Sequence, residues 1–245
     1  MICMKAESTA RQAAWKMTTL IWVVAVHLLL LFFIVKTQSI PKVITKLTNT
    51  NINADPYVSR MVNVHRWMDA SVPDKATIFL GDSITQGLAT VAIAPYSVNY
   101  GIGDENTAQL LEAIPSYKSL ARANTIFLAI GINDLSHGQK LGLSDRYRKI
   151  VEALPAKTPL VWSAVMPAKS GNITLTDINQ VNEVIKAMCV SRANCTYVDT
   201  WRFLAKDNEI NSHLFQNDGV HLNADGYEVW IVALRKALQA ISHPA

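Results

Sequence analysis

The chain has 245 residues, enough for one domain of ordinary size with some length to spare. Half of the residues are apolar and 17% are charged, which excludes intrinsic disorder and collagen-like repeats; three cysteines are too few for a disulfide-built miniature scaffold. The formal charge is +4, and Lys5, Arg11, Lys16 and Lys36 against Glu7 supply three of those charges, so the body is nearly neutral. It carries no basic stripe interleaved with aromatics, and nucleic acid is not expected as a partner.

The first element is long and apolar. Residues 17–35, MTTLIWVVAVHLLLLFFIV, run for 19 residues without a formal charge, and His27 is their one titratable group. At about 1.5 Å per residue such a helix reaches roughly 28 Å, the thickness of a bilayer's hydrocarbon core, so residues 1–36 are expected to carry a transmembrane anchor. An anchor is favoured over a cleaved signal peptide because the run ends in Lys36-Thr37-Gln38-Ser39-Ile40-Pro41, without a small-residue A-x-A site. It is favoured over a buried core helix because the run is apolar all round. His27 has no intramembrane partner in the chain and reads as a tolerated polar residue.

Lys5, Arg11 and Lys16 before the run nearly balance Lys36, Lys42 and Lys46 after it, so charge discriminates poorly between orientations. Cys189 and Cys195 enclose a short loop in the body, whereas Cys3 lies on the other side of the apolar run. A disulfide in that loop would suit an oxidising compartment; two free buried thiols fit the spacing equally well. The expected topology is single-pass, with the amino terminus cytoplasmic and the body periplasmic or extracellular. Residues 37–56, polar and without sustained periodicity, read as a linker to a folded domain over 57–245.

Beyond the linker, a helix over 57–69 precedes short apolar runs at 77–80, 97–100, 125–130, 160–165 and 196–198, each suited to a buried parallel strand. Helical stretches fall between and after them at 105–114, 144–154, 177–188 and 224–241. Ile178, Val181, Val184, Ile185 and Met188, for instance, recur at helical spacing and would bury one face against a sheet. Alternating strands and helices imply a layered α/β sheet, in which ligands gather at the carboxyl ends of the strands.

The chemistry-bearing residues fall at those ends. The first strand runs into Gly81-Asp82-Ser83-Ile84-Thr85-Gln86-Gly87, where a serine opening a helix can expose its hydroxyl while its backbone N–H faces a developing negative charge. Taken alone, the segment fits an ordinary helix cap at least as well. Late in the chain stands Asn217-Asp218-Gly219-Val220-His221, in which Asp218 is spaced to bond one imidazole nitrogen and leave the other to accept a serine proton. His65, His213 and His243 lack a carboxylate at that spacing and read as lone histidines; His137 has Asp134 three residues before it and is likewise read as a lone histidine. Two further loops, Asn99-Tyr100-Gly101-Ile102-Gly103-Asp104 and Gly131-Ile132-Asn133-Asp134, could supply backbone and amide donors to an oxyanion, or simply form turns.

Together, and in this order across residues 78–223, the four segments resemble the SGNH (GDSL-type) hydrolase family. The resemblance implies Ser83 as nucleophile, Asp218 and His221 as orienting acid and base, and an oxyanion hole of Ser83, Gly103 and Asn133. Many members have glycine where this chain has Asp104, which makes Asp104 an alternative oxyanion donor. The implied fold is a three-layer α/β/α sandwich, flavodoxin-like, around a five-stranded parallel sheet ordered 2-1-3-4-5. No metal and no cofactor are implied.

The expected activity is ester hydrolysis through an acyl-serine intermediate by a membrane-anchored enzyme. The expected substrates are short-chain or acetyl esters of envelope carbohydrate; an acyltransferase, or a lysophospholipase or thioesterase, could be built on the same triad, and a non-catalytic domain of the same fold is disfavoured by the intact triad. Asp82 and Asp134 are expected to serve as turn or cap residues. Trp162, Trp201 and Phe215 read as core before acyl pocket, and Arg146 and Arg148 as a solvated helix face.

Overall fold

A computed structural model describes residues 3–36, 55–169, 171, 173–206 and 209–242. The chain divides into two compact units, residues 1–52 and 53–245. Among its described residues the first contains the helix α1 (Cys3–Lys36), whose stretch Trp15–Phe32 is apolar enough to cross a membrane and whose side chains there are exposed. Its polar groups turn inward: the hydroxyls of Thr18 and Thr19 donate to the Trp15 carbonyl at 2.9 and 2.5 Å, and His27 Nδ1 lies 2.7 Å from the Val23 carbonyl. Such local satisfaction suits a helix surrounded by apolar material. The expected linker lies outside the described residues up to residue 54. Its last two residues belong to the folded unit, since Asp55 caps the next helix and Pro56 opens it.

In chain order the second unit contains α2 (Pro56–Asp69), β1 (Thr77–Gly81), α3 (Ser83–Gln86), β2 (Ser97–Gly101), α4 (Thr107–Ala113), β3 (Thr125–Ala129), α5 (Ile132–Ser136) and α6 (Leu143–Ala153). Then come β4 (Leu160–Ser163), α7 (Leu175–Ser191), β5 (Cys195–Val198), α8 (Trp201–Leu204), a two-residue hairpin of β6 (Ala205–Lys206) and β7 (Glu209–Ile210), and α9 (Ala224–Ser242). The five main strands form one parallel sheet in the order β2-β1-β3-β4-β5, as expected. β1 is buried along its whole length, because it is flanked by strands on both edges and covered on both faces.

Alternation along β4 shows the three layers. Trp162 packs edge-on against Tyr147 of α6, with ring centroids 5.5 Å apart, while its neighbour Ser163 points the other way and accepts from the Trp230 indole of α9 at 3.2 Å. Phe79 and Phe127 stack at 4.3 Å between adjacent strands. Ile178 and Ile185 of α7 are fully buried, and Val181 and Met188 pack against the same core, so the helical face read from the sequence is the buried one. Trp162 and Phe215 are core residues and Trp201 packs against the core partly buried.

Two expectations need correction. Arg146 is no solvated residue: its guanidinium reaches the fully buried Asp134 at 3.1 Å, the Thr107 hydroxyl at 2.7 Å and the Gln139 carbonyl at 2.6 Å. Asp134 in turn does not cap its own helix but accepts the Thr107 N–H at 2.9 Å and its hydroxyl at 2.6 Å, closing the first turn of α4 from another element. A buried carboxylate requires that kind of partner set. Arg148 does lie on an exposed face, paired with Asp145 and Glu152.

Cys189 and Cys195 are joined in a disulfide that ties the end of α7 to the start of β5, with Cα atoms 5.2 Å apart. The loop it closes is short, so replacing both cysteines by serine is expected to cost about 2 kcal/mol of unfolding free energy. Denaturant titration with and without reductant checks this; identical midpoints would show that the bond contributes nothing.

Candidate active site

The site lies at the carboxyl ends of the strands. β1 ends at Gly81, where a Cβ would collide with the Ala129 carbonyl of β3 and the Thr85 hydroxyl of α3, so only glycine lets the chain turn this tightly off the sheet. Asp82 follows in an extended conformation and caps α3, its Oδ1 accepting the Ile84 N–H at 3.0 Å. Ser83 therefore opens α3 directly above β1. Asp82 itself is buried: burial raises its carboxyl from 3.8 to about 7, against the lowering effect of the Ile84 N–H and of His221, with Asp134 adding to the rise.

His221 arrives from 138 positions later in the chain. The turn carrying it is pinned by Gln216 N–H donating to the His221 carbonyl at 2.7 Å and by a bridge between Phe215 and Leu222. Asp218 grips this turn with both oxygens. Oδ1 accepts the N–H groups of Val220 and His221 at 2.9 and 3.0 Å, and Oδ2 lies 2.7 Å from His221 Nδ1. His221 Nε2 lies 2.8 Å from Ser83 Oγ. With a carboxylate at Nδ1, the imidazole proton belongs there and Nε2 is free to accept the serine hydroxyl. Partial burial would raise the Asp218 carboxyl, but the two backbone N–H groups and the imidazole outweigh it and hold the group below its ordinary value. The side chains of His221 and Asp218 remain 42% and 50% exposed, so the site is open.

The loop after β2 packs against α3, the helix that Ser83 opens. Its Gly103 N–H donates to Gln86 Oε1 at 2.7 Å and is thus engaged within the protein. Asp104 adopts a left-handed φ of +62° inside a turn closed by Glu105 N–H donating to the Ile102 carbonyl at 3.2 Å. The Asp104 N–H has no acceptor among the described residues. Of the two backbone donors left open by the sequence, Asp104 is therefore the available one. Asn133, on α5 after β3, donates one amide hydrogen to the Glu105 carbonyl at 2.9 Å, which orients the carboxamide and leaves its second hydrogen unused by the described residues.

The other histidines are placed elsewhere. His65 is buried against Tyr100, with ring centroids 5.0 Å apart, and burial lowers it to about 4; His137 faces the Asp104 carboxylate at 3.5 Å; His213 sits in a short 3-10 turn. His243 lies outside the described residues. Among the described residues no group of three His, Cys, Asp or Glu side chains is arranged to hold a metal.

Several supporting residues receive their tasks only in the folded chain. Asn99, inside β2, donates to the carbonyls of Thr85 and Leu88 at 2.7 and 3.1 Å and accepts the Gly101 N–H at 2.8 Å. Tyr227 of α9 donates its hydroxyl to the Ile84 carbonyl at 2.9 Å, and Gln86 Nε2 donates to the Tyr57 hydroxyl at 2.8 Å.

The family model for the GDSL-like lipase/acylhydrolase family matches residues 79–229. The chain belongs to this family, and with it to the serine hydrolases that act on ester bonds. Among solved structures it resembles a Streptococcus pneumonia protein described as a candidate platelet activating factor, at 19% identity and a TM-score of 0.67 over 83% of this chain and 99% of that one. A GDSL-like lipase from Bacteroides thetaiotaomicron matches at 19% identity and 0.62 over 73% and 97%. A variant of an acetyl xylan esterase from Geobacillus stearothermophilus matches at 18% identity and 0.54 over 67% and 94%. At such identities these likenesses speak for the fold alone. No curated protein matches the sequence at a significant level.

Proposed function

We propose that the protein is a membrane-anchored serine esterase that removes short acyl groups, acetyl foremost, from envelope carbohydrate. The observation that carries the catalytic reading is the continuous chain from Ser83 Oγ through His221 to Asp218, at 2.8 and 2.7 Å. Ser83 Oγ attacks the ester carbonyl as its proton passes to His221 Nε2, and Asp218 stabilises the imidazolium. The oxyanion takes hydrogen bonds from the N–H groups of Ser83 and Asp104 and from the free amide hydrogen of Asn133. The proton on Nε2 then leaves with the alcohol. Water, deprotonated by the same nitrogen, cleaves the acyl-serine and returns the enzyme.

The apolar stretch Trp15–Phe32 supports the anchor. The Cys189–Cys195 disulfide supports a catalytic unit outside the cytoplasm, since such bonds persist in oxidising compartments. The half-exposed triad favours a small acyl group on a bulky alcohol, and the likeness to an acetyl xylan esterase agrees with that choice. The test is a hydrolysis profile of the full-length protein in detergent, on p-nitrophenyl esters from acetyl to palmitoyl and on acetylated polysaccharide. Activity confined to acetyl and butyryl esters, with acetate released from the polysaccharide, is the expected result. A maximum at long chains would overturn the substrate assignment in favour of lipid esters.

A further inference from the structure

Gln86 stands three residues after the nucleophile and makes two hydrogen bonds that the reaction itself does not require. Its Oε1 accepts the Gly103 N–H at 2.7 Å, and its Nε2 donates to the Tyr57 hydroxyl at 2.8 Å. Tyr57 also lies against Gly103, where an added Cβ would come within 3.3 Å of its ring. The tyrosine sits in the first turn of α2, outside the residues that the family model covers. That helix is firmly held: Asp55 accepts the N–H groups of Tyr57 and Val58, Val58 is buried, and Asp69 at the far end accepts the Tyr100 hydroxyl at 2.9 Å and the Ser119 N–H at 3.1 Å. Tyr57 is therefore a fixed post beside the loop that bears Asp104.

That loop needs one. The turn over residues 102–105 has a positive φ at its third position, the type II form, which prefers glycine there. With aspartate at 104 the competing type I form, whose central peptide is flipped, is the one favoured locally. Flipping the Gly103–Asp104 peptide would replace the Asp104 N–H by the Gly103 carbonyl oxygen, an acceptor where the oxyanion requires a donor.

We infer that Gln86 and Tyr57 are positioning residues of the oxyanion hole: the chain Tyr57–Gln86–Gly103 anchors the Ile102–Gly103 peptide, the fixed end of the turn from which the adjoining 103–104 peptide offers the Asp104 N–H to the reacting oxygen. The inference rests on the esterase reading above. It makes the departure from glycine at 104 and the polar pair Tyr57–Gln86 two halves of one arrangement.

The test uses the full-length enzyme and p-nitrophenyl acetate. Gln86→Met keeps the length of the side chain and removes both bonds; kcat is expected to fall about 10- to 100-fold with KM within about two-fold of the original, the signature of a misplaced transition-state donor. Tyr57→Phe, which loses one hydroxyl, should show a smaller fall of the same kind. Adding Asp104→Gly to Gln86→Met removes the local preference for the flipped turn and should restore kcat to within about three-fold, a rescue that a general loss of stability would not permit. Ser83→Ala is measured in parallel. Retained activity in Ser83→Ala would bring down the esterase reading and this inference together. Loss in Ser83→Ala with unchanged kcat in Gln86→Met, with a rise in KM alone, or without rescue by Asp104→Gly would overturn only the inference. A rise in kcat for Gln86→Met would also overturn it, since Gln86 would then be masking the Gly103 N–H as an oxyanion donor.

Discussion

His221→Ala is expected to lower kcat by about 10⁴- to 10⁶-fold on any ester the enzyme accepts, with KM little changed. Without the imidazole, nothing among the described residues is placed to take the Ser83 Oγ proton: His221 Nε2 at 2.8 Å is its hydrogen-bond partner, and Asp82 next to it is turned into its own helix cap. Ser83→Ala should fall as far, and the double variant no further, because the two groups act as one unit. Asn133→Ala should cost less, about 10²- to 10³-fold, since two backbone donors remain when one amide hydrogen is lost. A fluorophosphonate probe followed by mass spectrometry checks the assignment independently of substrate. The probe should label Ser83 in the native protein, label it far more slowly in His221→Ala, and leave Ser83→Ala unmodified. His221→Ala activity within ten-fold of native would sink the assignment of the base.

What could be read from the chain alone follows from how local each cause is. TIFLGDS and TIFLAIG each join a β-forming run to a turn, so β1, β3 and the residues that follow them were legible within one or two positions. The α4 start was expected at 105, but Asn106 and Gln109 form a capping box that delays the helix to Thr107; that signature, asparagine three before glutamine, was present in the sequence. The two-residue strands β6 and β7 were not legible, because so short a hairpin has no period to detect. Pairs that join distant elements were equally silent. Arg146 has the spacing of an exposed helix residue until Asp134 and Thr107 are brought beside it, and Gln86 has no apparent task until β2 and α2 place Gly103 and Tyr57 on either side. The choice between Gly103 and Asp104 was undecidable for the same reason: it depends on which N–H another element has already taken.

Two buried carboxyls give the protein an expected loss of stability with rising pH. Glu105 is fully buried, and neither of its carboxyl oxygens has a hydrogen-bond partner among the described residues; burial, and secondarily Asp82, raises it well above 4.5. Asp82 is raised to about 7. In both cases the folded state keeps a proton that the unfolded chain has already released, so stability is fully present below the unfolded values and falls as pH rises through the folded ones. For Asp82 the window runs from 3.8 to about 7 and is worth about 4 kcal/mol by pH 8. His65, lowered to about 4, and Asp218, also lowered, act in the opposite sense and lose their contributions as pH falls, so the native profile is a sum of opposed slopes. The difference between native protein and variant removes those shared terms. Asp82→Asn, which can still cap α3, should therefore gain on the native protein by about 4 kcal/mol between pH 4 and pH 8. Glu105→Gln should gain in the same direction, because a carboxamide has no charge to bury. Denaturant unfolding at a series of pH values reads both differences directly. A flat difference for Asp82→Asn would mean that its carboxyl ionises inside the fold as readily as outside it, and that burial beside Ser83 leaves a charge there at working pH.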